Sequence, residues 1–138
     1  MNNSSLASEF MLRATRTLKE ASNAFNEGDL FYTGKRVLET IENLSTVILT
    51  IYGIYSVSGN PITQLDYLLE TRDLQDNVKM TIRDLQKLYN SLVSINIIDE
   101  SSLKSPSVLA RHNDMKVALD ELSKLFERVE GIFDDFHG

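Results

Sequence analysis

The chain has no cysteine and no tryptophan, and only two prolines and two histidines among its 138 residues. Without thiols it has no disulfide, no thiolate metal centre and no cysteine nucleophile. With no secretory leader in view, this composition predicts a cytoplasmic protein. Long apolar runs are lacking too. The longest, Val47-Ile48-Leu49-Thr50-Ile51-Tyr52-Gly53-Ile54-Tyr55, falls far short of the ~20 apolar residues that cross a bilayer, so no membrane partner is expected. Gly28, Gly34, Gly53 and Gly59 match neither a dinucleotide nor a nucleoside-triphosphate loop, and no strand pattern precedes them. No Glu-x-x-His pair is present to build a metal site inside a helical bundle. Glu39 and Glu42, three residues apart, read as solvated or salt-bridged side chains. No metal and no cofactor is predicted.

Apolar residues make up 42% of the chain, enough for one core, and the reading is a single domain over residues 1–138. The net charge of −6 is uneven: residues 1–60 carry six acids against five bases, and residues 61–138 fourteen against nine. An overall acidic chain is a poor general binder of duplex nucleic acid, so any anion site must be a local basic patch, and that patch lies in the first half.

The apolar spacing is helical nearly throughout. A first helix is predicted over Leu6–Glu27, capped by Ser4 or Ser5, with Phe10, Ala14, Leu18, Ala21 and Phe25 inward. Gly28 supplies a left-handed terminating residue and Asp29 an N-cap, so a tight turn launches an antiparallel second helix. Its buried face runs from Leu30 through Val37, Ile41, Leu44, Ile48 and Tyr52 to Tyr55, with an end between Gly53 and Gly59. Gly34 inside it costs roughly 1 kcal/mol relative to alanine, which points to a close approach, either core packing or a ligand pocket. Asn60 or Thr63 caps a short helix carrying Leu65, Leu68 and Leu69. A third long helix is predicted from Asp73 to Ser94, with Val78, Ile82, Leu85 and Leu92 inward. Residues 95–107 read as a loop, 108–111 as a helical turn, and the last helix starts at Asn113 or Asp114 and carries Met115 through Phe136. The predicted fold is all-α, an antiparallel up-and-down bundle of four principal helices plus a short fifth helix.

Two groups of residues are candidates for chemistry. Arg13, Arg16 and Lys19 step along the first helix, and Lys35 and Arg36 open its partner. Together they can hold a phosphate or an acidic surface, or simply form a solvated face balanced by Glu20, Glu39 and Glu42. Arg111-His112-Asn113-Asp114 is the densest polar group. A histidine titrating near neutrality beside an arginine can in principle cleave RNA by acid–base chemistry. The alternative is that Asn113 or Asp114 caps the last helix and Arg111 is structural.

Gly28-Asp29 before a long helix, Thr63 and Leu65 in the short helix, and Ala110-Arg111 with Asp114 before a last amphipathic helix resemble the HEPN domains. These are small helical bundles named for a proposed nucleotide-binding role and related to the partners of minimal nucleotidyltransferases. Gln64 stands where the family commonly has histidine, and His112 and Asn113 replace its tyrosine and proline. The ribonucleases of the family resemble one another in an arginine followed four to six residues later by histidine. That spacing is absent: His137 lies nine residues after Arg128. The resemblance therefore implies a non-catalytic module for nucleotide or nucleic-acid phosphate; joined with the two groups read from the residues themselves, the ligand-binding candidates are Arg111, His112, Asp114, Arg13, Arg16, Lys19, Lys35 and Arg36. It also implies a nucleotidyltransferase partner of the toxin–antitoxin type and a homodimer. The paired apolar residues Leu125-Phe126 and Ile132-Phe133 independently make a stripe wide enough to face a second copy. The alternatives are a metal-independent ribonuclease using Arg111 and His112, and a helical protein-interaction module with no ligand.

Overall fold

The computed structural model describes residues 3–55, 59–94 and 105–137. Among them the chain is all-helical, with five helices and no strand: α1 (Asn3–Asn26), α2 (Leu30–Ile51), α3 (Pro61–Thr71), α4 (Asp76–Ser94) and α5 (Ser105–His137).

The turn between α1 and α2 is built as its residues demand. Gly28 takes φ +80°, a region that side chains with a Cβ rarely enter. In that conformation its N–H donates to the Phe25 carbonyl, and Asp29 N–H donates to Ala24, which satisfies two carbonyls left over at the end of α1. The Asp29 carboxylate then accepts the Tyr32 N–H at 3.0 Å and starts α2. The end of α2 repeats the device. Gly53 sits at φ +79°, its N–H donates to Thr50, and Ile54 N–H donates to Leu49. The helix therefore stops at Ile51, before Tyr55, and Tyr55 leaves the buried face, donating its hydroxyl to Asn3 Oδ1. Asn60 is the N-cap of α3, accepting the Ile62 N–H at 2.9 Å, and Pro61 occupies the first turn, where no N–H is needed.

Three other boundaries differ from the sequence reading. α1 begins at Asn3, so Ser4 and Ser5 lie within its first turn and do not cap it. α4 begins at Asp76 instead of Asp73, although Leu74 just ahead of it is buried. The largest correction concerns α5. It runs unbroken from Ser105 for 33 residues, about 50 Å at 1.5 Å per residue. Residues 108–111 are not a separate turn, and neither Asn113 nor Asp114 is an N-cap; both are exposed positions inside the helix. Pro106 is tolerated because it lies in the first turn. Residues 95–104 of the expected loop lie outside the described residues.

Helix α2 packs against all four other helices. Ile41, Leu44, Ile48 and Leu49 of α2 are fully buried with Leu65 and Leu68 of α3, Ile82 and Leu85 of α4, and Met115 and Leu122 of α5. These belong to a single apolar cluster drawn from all five helices. Gly34 is buried in α2. The broad stripe on α5 is mostly consumed inside the chain: Leu125 and Ile132 are buried, and Phe126 and Phe133 are half-buried against the core. Gln86 of α4 ties down α3, donating to the Ile62 carbonyl at 3.1 Å and to Asp66 at 2.8 Å. Among the described residues no helix is long and apolar enough to cross a membrane.

Candidate functional site

The groove between α1 and α2 collects most of the chain's early charge. Contacts Asn3–Tyr55, Thr17–Thr40 and Glu20–Arg36 run in opposite senses along the two segments, so the charged residues of both fall on one surface. An open pocket of about 680 Å³ is lined by Arg13, Arg16 and Arg36 together with Glu9, Glu20 and Glu39. Its floor is polar. The Thr17 hydroxyl donates to the Arg13 carbonyl at 3.1 Å, accepts the Thr40 hydroxyl at 2.7 Å, and more loosely accepts the Asn43 amide at 3.5 Å. Both threonines are buried. This hydroxyl link was missed in the sequence, where the only available signal was threonine recurring at inward helical positions, Thr17 on α1 and Thr33 and Thr40 on α2.

The sequence-derived cation set divides here. Arg13 pairs with Glu9 at 2.8 Å, its guanidinium 4.7 Å from the centroid of the Phe10 ring. Arg36 pairs with Glu39 at 2.9 Å and approaches Glu20 at 3.8 Å. Arg16 also lines the pocket and has no ion-pair partner among the described residues. Lys35 lies outside this pocket, over the Phe31 ring at 5.4 Å. Lys19 is exposed and likewise does not line it. Three arginines against three carboxylates leave little net field, and the exposed pairs are each worth under about 1 kcal/mol.

The second candidate group does not converge. Arg111 is only 8% exposed, enclosed in the α5 face that packs inward, and it lines none of the open pockets described here. A guanidinium so enclosed is held by other groups of the chain. His112 lies on the exposed side, its ring stacked on Phe25 at 4.7 Å with a 33° tilt, where it ties α5 to the end of α1. Asp114 is exposed. Among the described residues, Arg111 and His112 line none of these open pockets, and they lie on the buried and the exposed side of α5 respectively.

Near the polar groove, burial pushes the Glu42 carboxyl above its ordinary value, and the negative Glu39 one turn earlier adds to the rise. Burial likewise raises the Tyr52 phenol. Among the described residues no cluster of histidines and carboxylates has the geometry to hold a metal ion.

A second pair of hollows lies between the start of α4 and the end of α5. One is lined by Ile51, Tyr52, Asp73, Ile132, Asp135 and Phe136, the other by Met80, Asp84, Arg128 and Gly131, and the two share Asn77, Ile132 and Asp135. Each is about 450 Å³. Arg128 and Asp84 join the helices at 2.7 Å.

Compared with protein-family models, with curated proteins and with solved structures, the chain matches none.

Proposed function

We propose that this chain is a non-catalytic, HEPN-like binding module whose α1–α2 groove holds a phosphate-bearing ligand, a nucleotide or an RNA backbone. The observation that carries the reading is the convergence of Arg13, Arg16 and Arg36 on one open pocket, with Arg16 uncommitted to any carboxylate among the described residues. The glutamates interleaved with them make the expected affinity low and strongly salt-dependent. Within the proposal the helices form an antiparallel up-and-down bundle of four, with α3 as the short fifth. Three contacts support that arrangement: Glu20–Arg36 between α1 and α2, Phe25–His112 between α1 and α5, and Asp84–Arg128 between α4 and α5. Pairing of two copies, a nucleotidyltransferase partner and a cytoplasmic setting belong to the same reading.

A ribonuclease has less support, because Arg111 is enclosed while His112 faces outward against Phe25. Isothermal titration of ATP and of a single-stranded RNA oligonucleotide at low salt tests the proposal. The expected result is binding on the order of 10⁻⁴ M that is lost in Arg16→Ala combined with Arg36→Ala. Absence of heat with both ligands removes it. Arg111→Ala is a poor probe of binding, since it perturbs the core.

A further inference from the structure

We infer that the α4–α5 hollows form one continuous docking groove for a basic amphipathic helix of a partner protein. The two share Asn77, Ile132 and Asp135, and together they follow Asn77, Met80, Thr81 and Asp84 on α4 and Arg128, Gly131, Ile132 and Asp135 on α5. Those spacings of three and four keep one face of each helix on the groove for two turns, about 10 Å, which matches the i, i+3, i+4, i+7 anchors of a docked helix. The groove is apolar where a guest would seat. Met80 is 59% exposed and Phe136 43%, both far more open than the core residues beside them. A Cβ added at Gly131 would meet nothing within 4 Å, so the floor has room for a side chain or a close backbone.

Charge complementarity selects the guest. Asp73 and Asp135 flank the apolar floor and have no ion-pair partner among the described residues. Arg128, the groove's own base, is already held by Asp84. In these two hollows the uncompensated sign is therefore negative, in the half of the chain that carries fourteen acids against nine bases, whereas the hollow that continues along α4 and α5 beyond Asp84 and Arg128 carries Lys87 and Lys124 with Glu121. A partner helix with apolar anchors on one face and lysine or arginine along its flanks satisfies both features. An acidic segment or an anion does not. This inference is independent of phosphate binding on α1–α2, which uses different helices.

The test uses the full chain and a labelled amphipathic peptide of four helical turns, with leucines at i, i+3, i+4 and i+7 and lysines elsewhere, against its glutamate counterpart. Fluorescence anisotropy at low salt is expected to show saturable binding of the lysine peptide alone. Met80→Ser with Phe136→Ser, and separately Asp73→Asn with Asp135→Asn, are each expected to weaken it by at least about tenfold. Leu12→Ser, an exposed apolar residue on α1, should leave it unchanged. Because the altered side chains are exposed, unchanged melting curves will confirm that each variant folds. The inference is overturned if both peptides bind alike, if neither binds, or if the groove variants bind as the parent does. It is equally overturned if sedimentation shows a dimer that the groove substitutions alone dissociate, which would make a second copy the occupant.

Discussion

Two of the gaps between helices that open to solvent in this protein are finished in opposite ways. The α1–α2 groove has a floor of hydrogen-bonded hydroxyls and a rim in which Arg13 and Arg36 are paired with glutamates of the same chain. The α4–α5 groove has an apolar floor, exposed Met80 and Phe136, and two aspartates, Asp73 and Asp135, with no ion-pair partner among the described residues. An internally balanced groove gains little from a tightly bound partner, because a ligand must displace existing pairs before it gains new ones. An unbalanced apolar groove gains from being covered. On this contrast the first region suits weak, exchangeable anions and the second a protein surface.

The contrast can be broken or sharpened by substitution. The largest effect is expected for Arg111→Ala, which belongs to neither groove. Removing an enclosed guanidinium leaves its surroundings unpaired, and urea unfolding should show a loss of about 3 kcal/mol, whereas ATP titrated on the folded fraction binds as before. Thr40→Val strikes the floor of the polar groove. It removes the single hydroxyl proton that Thr40 shares between Thr17 Oγ1 and the Arg36 carbonyl, each at 2.7 Å, and thermal unfolding should report about 1 kcal/mol.

Smaller again is Glu42→Gln. The folded carboxyl binds its proton more tightly than the unfolded one, because burial and then Glu39 raise it above 4.5. Folding is therefore unopposed below that pH, and the penalty grows as pH rises through the raised folded value. The variant should melt higher than the parent at pH 7 and match it well below pH 4.5, where the Glu42 carboxyl is protonated in both the folded and the unfolded chain. Equal shifts at the two pH values would show that the effect is not ionisation. Asp84→Asn, which cuts the partly exposed link across the apolar groove, should cost the least, under about 1 kcal/mol by chemical denaturation.

Much of the scaffold was legible because local chemistry and periodicity agreed. Gly28 with Asp29, and Asn60 with Pro61, act as their residue types predict. The apolar spacing of α4 puts Val78, Ile82, Leu85 and Leu92 inward as read. Legibility failed where a residue type serves two purposes. Asn113 and Asp114 are good N-caps, yet they ride on the solvent side of a helix already nucleated upstream at Ser105, so packing of Met115 and Leu122 outweighs their local preference. The same continuity turned Arg111 inward and left His112 outward, because adjacent helical residues are about 100° apart and cannot share a face. The cation set was legible as a set, and its two close pairs, Arg13–Glu9 and Arg36–Glu39, sit at local helical spacings of four and three; only the approach of Arg36 to Glu20 depends on the register of α1 against α2. The α4–α5 groove carried no local signature at all: Met80 and Phe136 read as ordinary helix residues until the two helix ends are placed side by side.

The measurement that bears most directly on the division between the grooves is an amide NMR titration of the full chain with a short single-stranded RNA at low salt. Shifts confined to Arg13, Arg16, Arg36 and their neighbours, with Met80, Gly131 and Phe136 unmoved, are the predicted result. Shifts along α4 and the end of α5, or none anywhere, would contradict it.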